Sequence, residues 1–388
     1  MRIMHLHWGF PPVIGGVETH LACMLPVMVK QKHKLSLITG AVEGVKGHYV
    51  YKGVKIYRSP LMDLNWLFRR GLIGLENEIE MYFKKIIDLE KPQIINAHNM
   101  HYFSKSHAMI LQNLAQTKGI HLILSAHNVW DDLLYIELTK EIKWDHVVAV
   151  SHYIKRELMG IGFAEKSITV IHHGVDTEKF NSNVSPAPIL KRHPVLKGKR
   201  IIFHPARMGL AKGCDVSIKA MRMIEEKFPN VMLVLAGTKH IIDWGATQQK
   251  DIAYMVGLIK AMDLEKNVLI DVYSLEEIAQ ICVLSDVCVY PSTASEPFGL
   301  TMLEALATAR PMIVTNSGGM PEIVQDGING YVVPVKDFEA LSLKIIQLLD
   351  NDLLRKRLGN TGQQMVFAQY TKEHMTSNYL QLYKKILS

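Results

Sequence analysis

The residues best suited to chemistry are two glutamates, Glu296 and Glu304, separated by seven residues in the run EPFGLTMLE. Proline disfavours helical angles in the residue before it, so Pro297 places Glu296 in a loop. From Leu300 onward the run LTMLEALA is made of helix formers, and a helix is expected to start there. The amides of Phe298, Gly299 and Leu300 would then sit at a helix N-terminus, where unpaired N–H groups and the helix dipole favour an anion. Glu304 falls about one turn inside that helix. The pattern predicts amides turned toward phosphate and two carboxylates accepting hydrogen bonds from hydroxyl groups. A hydrolase that used the pair as acid and base would need them ~5 Å apart across a bond, and that alternative is open at this point.

Cationic partners for phosphate occur in HPARMGLAKGCD, where Arg207 and Lys212 flank a short glycine-containing loop. Arg offers a planar fork and Lys a point charge, and both suit phosphate oxygens, although solvated loop cations would look the same. Neither GxxxxGK[ST] nor a strand-linked GxGxxG is present, which removes the two standard nucleotide loops. Gly318 and Gly319 follow a strand and would let backbone approach a ligand, whereas Gly327 and Gly330 read as turn punctuation. Gly15 and Gly16 open another helix and form a second place for close approach. His127 stands at a strand's carboxyl end, followed by Asp131, Asp132 and Glu137. The two aspartates could cap a helix or face a hydroxyl-rich or cationic acceptor.

Short apolar or β-branched runs alternate with longer helical patterns along most of the chain. Strand candidates in the first half are Ile3–His7, Lys34–Thr39, Gln93–Ala97, His121–Ser125 and His146–Val150. In the second half they are Arg200–His204, Val231–Ala236, Val268–Ile270, Val287–Tyr290, Met312–Thr315 and Gly330–Val333. Such alternation predicts an α/β protein with parallel sheets covered by helices on both faces. At 388 residues the chain suits two domains. The segment Asn181–Lys199 holds three prolines, a basic cluster and no apolar period, so it is expected to be a linker. The expected division is residues 1–185, residues 186–370, and a closing helix over 371–388 that returns to the first domain. Two doubly wound sheets would meet across a cleft at the carboxyl ends of their strands.

Composition narrows the rest. Hydrophobic residues make up 48% and charged residues 21%, which excludes a disordered chain. No apolar run approaches the ~20 residues of a membrane span, and MRIMHLHWGFPP lacks the apolar core of a signal peptide, so the cytoplasm is expected. The net charge of +7 suits an anionic ligand, but dispersed basic residues without interleaved aromatics argue against nucleic acid. The four cysteines form no CxxC pair and predict free thiols rather than a zinc or disulfide framework. Leu64-Asn65-Trp66-Leu67-Phe68-Arg69-Arg70 mixes aromatic and basic residues as interfacial helices do, but it is short, and a buried or capping segment is the favoured reading.

Taken together, these residues resemble the family 4 retaining glycosyltransferases of the GT-B fold, two Rossmann-like domains facing across a cleft. The resemblance runs over nearly the whole chain. It is strongest in SHYIKRELMGIGFAEKSITVIHHGVDTEKF, PARMGLAKGCD and EPFGLTMLEALATARPMIVTNSGGMPEIVQDGINGYVVP. It implies transfer of a hexosyl or N-acetylhexosaminyl group from a nucleoside diphosphate sugar, with UDP expected, to an acceptor hydroxyl. By the same resemblance Glu304 would hold the ribose and Glu296 the transferred sugar. Arg207 and Lys212 would take the diphosphate with the backbone of Phe298, Gly299 and Leu300, Gly16 would lie beside the β-phosphate with Gly15 next to it, and His127 near the anomeric carbon. The family implies neither metal nor other cofactor. Two positions depart from its pattern: Ala206 precedes Arg207 where Gly is usual, and His173 stands where Asn is frequent. The stretches NAHNMHYFSKSHA and SAHNVWDDLLY are similar to transferases acting on aminocyclitols such as 2-deoxystreptamine in antibiotic biosynthesis, with Asp131, Asp132 and Glu137 suiting a polycationic acceptor. Lipid-linked or cell-surface polysaccharide acceptors, and a sugar-nucleotide epimerase or phosphorylase, are the competing readings.

Overall fold

The computed structural model describes residues 1–129, 141–237 and 245–388. The chain forms two compact units, one of residues 1–173 with 372–388 and the other of residues 174–371. The division after His173 lies upstream of the expected 185/186 boundary.

In the first unit eight strands form one sheet. They are β1 (Arg2–Leu6), β2 (Lys34–Gly40), β3 (His48–Tyr51), β4 (Val54–Ser59), β5 (Ile94–His98), β6 (His121–Ala126), β7 (His146–Ala149) and β8 (Ile168–Val170), in the order β3-β4-β2-β1-β5-β6-β7-β8. All neighbours are parallel except β3, which pairs antiparallel with β4 at the edge. Sequence reasoning missed this hairpin. Its turn is Lys52-Gly53, both at positive φ (49° and 88°), a mirror-image turn usually announced by Asn-Gly or Asp-Gly. Every residue of β5 is buried, as expected for a strand covered on both faces. The helix Gly16–Lys30 lays Leu21, Met24, Leu25 and Met28 against β1 and β2 and against Tyr379, Leu380 and Tyr383 of the closing helix Lys372–Leu387. Fully burying each such side chain contributes about 1.5–3 kcal/mol. Asn96 of β5 donates to the Tyr383 hydroxyl (2.6 Å) and accepts from Ser125 (2.9 Å), which fixes the closing helix on this unit.

In the second unit six parallel strands follow: β9 (Arg200–His204), β10 (Val231–Gly237), β11 (Val268–Val272), β12 (Val287–Tyr290), β13 (Met312–Thr315) and β14 (Gly330–Val333). Their order is β11-β10-β9-β12-β13-β14. The expected linker 181–199 is instead folded into this unit. Its residues form a helix over Ala187–Arg192 and a tight turn over Pro194–Leu196, anchored by buried Ile189 and Leu196. Proline is tolerated at the first turn of a helix, so the prolines that suggested an extended linker start these pieces. Both sheets reverse their winding once, between β1 and β5 in the first unit and between β9 and β12 in the second. Ligands of open α/β sheets bind outside the carboxyl ends of the strands at such a point.

Candidate functional site

Around the β9/β12 reversal, three loops are tied together. The loop after β9 makes a single turn over Leu210–Lys212 and ends at Gly213, whose φ of +75° and whose contact with Pro291 exclude any side chain: a Cβ there would lie 1.8 Å from the Pro291 carbonyl oxygen. The loop after β12 is fastened to it by Thr293 Oγ1 donating to the Leu210 carbonyl (2.8 Å) and Ser292 Oγ donating to that of Ala211 (3.0 Å). The loop after β13 joins through Ser317 Oγ, which donates to the Ala294 carbonyl (2.7 Å). The result is a rigid backbone platform of the kind that holds functional side chains in fixed geometry.

Lys212 and Glu296 meet on that platform, with Lys212 Nζ 2.7 Å from Glu296 Oε2. Tyr290, the last residue of β12, donates its hydroxyl to the same oxygen in a short hydrogen bond, and the Lys212 ammonium stands 5.6 Å from its ring centroid. Burial pushes the Tyr290 phenol well above its ordinary value, with Glu296 next in effect, while the Arg207 charge acts in the opposite direction. Arg207 therefore lies within electrostatic reach of the group, on an exposed position of the same loop as Lys212. Sequence reasoning missed Tyr290, because a tyrosine closing an apolar strand carries no signal that separates it from core.

The helix Leu300–Ala307 begins as expected, capped by Gly299 at φ +82°. Phe298 is buried beneath the loop, and Gly299 and Leu300 are partly exposed at the helix start. Gly318 and Gly319 serve the same loop. A Cβ on Gly318 would stand 2.2 Å from the Glu296 carbonyl oxygen, and the Gly319 amide donates to that oxygen (2.8 Å). The close approach these glycines allow is to Glu296 itself. Glu304, only 6% exposed, has a carboxyl with no hydrogen-bond partner among the described residues. Desolvation raises its pKa from 4.5 to about 7, since burial disfavours the charged form.

At the β1/β5 reversal of the first unit the chemistry is different. Glu18 turns back into the loop before its own helix. Its carboxylate lies 3.1 Å from His7 Nε2 and so close to Gly9 and Gly15 that a Cβ on either would stand 2.2 Å from it. Gly15 thus leaves room for the Glu18 carboxylate, whereas nothing lies within 4 Å of a Cβ on Gly16. His127 is buried, and both its ring nitrogens face histidines: Nε2 is 2.8 Å from His98 Nδ1, and Nδ1 is 2.9 Å from His173 Nε2. His98 Nε2 continues to His5 Nδ1 at 2.9 Å. Desolvation, and then the neighbouring histidines, hold the His98 and His127 pKa values well below the ordinary value. Asp131, Asp132 and Glu137 lie outside the described residues. All four cysteines are free thiols, three of them buried. No helix among the described residues is long and apolar enough to cross a membrane.

Residues 14–179 match the family described as Glycosyltransferase Family 4, and residues 188–365 match the one described as Glycosyl transferases group 1. An uncharacterized glycosyltransferase of Methanocaldococcus jannaschii is 24% identical over 99% of this chain and 98% of its own length. Among solved structures, sucrose-phosphate synthase from Thermosynechococcus elongatus superposes with a TM-score of 0.83 at 19% identity, covering 100% of this chain and 99% of that one. An Anabaena protein crystallised with UDP and glucose superposes with a TM-score of 0.79 at 17% identity, covering 99% and 100%.

Proposed function

We infer the reaction from the premise that this chain belongs to the family 4 glycosyltransferases and has the GT-B fold. The reading is transfer of a hexosyl or N-acetylhexosaminyl group from a nucleoside diphosphate sugar to an acceptor hydroxyl, with retention of anomeric configuration. The observation that carries it is Glu304, a buried carboxyl whose oxygens lack donors within the described protein, one turn below a helix start flanked by Lys212. A pair of ribose hydroxyls supplies such donors and would draw the carboxyl back toward its ionised form. UDP is the favoured nucleotide, because similarly folded structures hold UDP or UDP-glucose.

In this reading Lys212, Arg207 and the amides of Gly299 and Leu300 meet the diphosphate, and the resemblance assigns a phosphate contact to Gly16 with Gly15 next to it. As the bond from the anomeric carbon to the β-phosphate oxygen breaks, negative charge grows on that phosphate, and these groups stabilise it. The acceptor oxygen attacks from the same face, and its proton passes to the departing phosphate oxygen. Glu296 positions the sugar's hydroxyls: Lys212 and Tyr290 both donate to Oε2, which leaves that oxygen engaged and not free as a nucleophile. No metal is assigned to the diphosphate, since side-chain cations and the helix start can balance it. His127 is assigned to the anomeric region, and its ring would reach a hydroxyl only by releasing His98 or His173.

The acceptor is proposed to be an aminocyclitol of the 2-deoxystreptamine type in antibiotic biosynthesis, with the enzyme working in the cytoplasm. Incubation with UDP-glucose or UDP-N-acetylglucosamine and 2-deoxystreptamine-like acceptors tests it, and NMR of the product reads the anomeric configuration. One observation favours a second reading. Phe68 and Ile73 are 92% and 90% exposed beside exposed Arg69 and Arg70, a combination suited to an anionic bilayer and a lipid-linked acceptor. Turnover only with lipid acceptors would select that reading. Interconversion of the nucleotide sugar without any acceptor would select an epimerase.

A further inference from the structure

We propose that His204 and Cys214 are positioning residues for the donor diphosphate: bonded to each other, they close the stems of the loop that carries Arg207 and Lys212. The loop leaves β9 at His204, the last residue of the strand, and enters the helix Cys214–Lys227 at its first residue. His204 Nε2 and Cys214 Sγ lie 3.6 Å apart, so the two stems are joined side chain to side chain. Arg207 stands three residues beyond one stem and Lys212 two residues before the other. The role rests on the reading in which these two cations meet a diphosphate.

Both side chains are completely buried, yet neither serves packing alone. The other ring nitrogen, His204 Nδ1, is 2.9 Å from Ser217 Oγ, one turn further along the same helix. A neutral imidazole has one N–H and one lone pair. Hydroxyl and thiol can each take the complementary part, so the ring is satisfied at both ends. The Gly209 amide donates to the Cys214 sulfur from inside the loop. The sulfur thus gathers the start, the middle and the end of the loop. A leucine at position 204 would fill similar space without fixing either stem, whereas a buried polar network with every member paired specifies one geometry.

The pair is not a nucleophile with its base. Desolvation pushes the Cys214 thiol up to about 12 and the His204 imidazole down to about 3, so both stay neutral. After desolvation the next influence on His204 is the Lys212 charge, which puts the ammonium within electrostatic reach of the ring. The ring also meets that of Tyr290 edge-on, with centroids 6.0 Å apart. Tyr290 and Lys212 are the two residues that donate to Glu296 Oε2. His204 therefore adjoins both holders of Glu296, and a neutral ring supports them without drawing the carboxylate or a phosphate toward itself. Groups that stabilise developing charge act from a fixed place, and a displacement of ~1 Å can cost about 10²-fold in rate.

The test is calorimetric titration of the full chain with UDP and with uridine, in wild type, Cys214→Ala, Cys214→Ser and His204→Leu, each with an intact melting transition. Cys214→Ala and His204→Leu are expected to weaken UDP by about tenfold and to leave uridine unchanged. Cys214→Ser keeps a donor and an acceptor at the stem and should recover most of that loss. Should His204→Leu fail to fold, the two cysteine variants decide. In a Lys212→Ala background the effect of Cys214→Ala on UDP should shrink below about threefold, since residues that act through one group are not additive. An unchanged ratio of UDP to uridine affinity in Cys214→Ala would overturn the proposal, as would an equal loss with and without Lys212. If UDP binds the wild type no more tightly than uridine, the diphosphate reading itself fails and the proposal falls with it.

Discussion

The two sheets reverse their winding in the same way, yet the chemistry placed at the two reversals is opposite. At β9/β12 the groups are basic and acidic side chains, partly open, with Lys212, Glu296 and the exposed Arg207 on a platform of interlocked loops. At β1/β5 they are neutral and closed, a line of imidazoles from His5 through His98 and His127 to His173, packed around His20. Topology therefore fixes where a site lies without fixing what it binds. Open charges on a fixed backbone suit an anionic ligand, whereas the buried imidazoles are engaged mainly with one another.

Substitutions on the charged side should have the largest effects. Lys212→Ala removes the cation at the growing phosphate charge and leaves Glu296 with one partner fewer. A fall in kcat/KM of about 10²- to 10³-fold is expected, as for loss of one transition-state donor. A change below threefold would mean that Lys212 does not touch the diphosphate. Two glycines compare the regions directly. Gly318→Ala forces a side chain at φ +58° into the Glu296 backbone and should cost about 2–4 kcal/mol in urea unfolding. Gly16→Ala opens onto free space at a helix start and should be neutral or stabilising by up to about 1 kcal/mol. Equal costs at the two positions would remove the contrast.

Glu304 gives a prediction with a sign. Its folded pKa of about 7 lies above the unfolded value of 4.5, so the unfolded chain releases the proton first. Stability is then lost as pH rises from 4.5, and the full cost, about 3 kcal/mol at 1.36 kcal/mol per pH unit, is present above pH 7. Glu304→Gln should accordingly be more stable than wild type at pH 8 and equal to it near pH 4, while binding the donor more weakly. Stability curves that run parallel across this range would show the carboxyl to be solvated. The smallest effect is expected for Tyr290→Phe. It deletes one of the two bonds to Glu296 Oε2 and should lower kcat/KM by about fivefold, near 1 kcal/mol, with the fold intact.

Much of the charged site was legible in sequence, and little of the neutral one. Glu296, Glu304, Lys212 and the helix start are close in the chain or carried by loops that apolar strands announce, and Pro297 and Gly299 punctuate them. The histidines at positions 5, 20, 98, 127 and 173 have no local spacing, and only the parallel pairing of β1, β5 and β6 gathers them. Tyr290 was hidden for a related reason, since its hydroxyl matters only once the loop after β12 folds back on it. Misread local signals account for the remainder. The prolines of 181–199 start helical pieces whose anchors, Ile189 and Leu196, are single apolar residues without a period, and Lys52-Gly53 makes a hairpin turn with an uncommon first residue.

The central claim is that the second unit holds the donor nucleotide through Glu304 on the ribose and Lys212 on the diphosphate. Calorimetric titration of wild type, Glu304→Gln and Lys212→Ala with UDP and with uridine tests it without needing the acceptor. Glu304→Gln should weaken both ligands by about tenfold, the worth of a hydrogen-bonded charge at ~1.5 kcal/mol, whereas Lys212→Ala should weaken UDP and leave uridine unchanged. UDP binding equally tightly to all three proteins would contradict the claim.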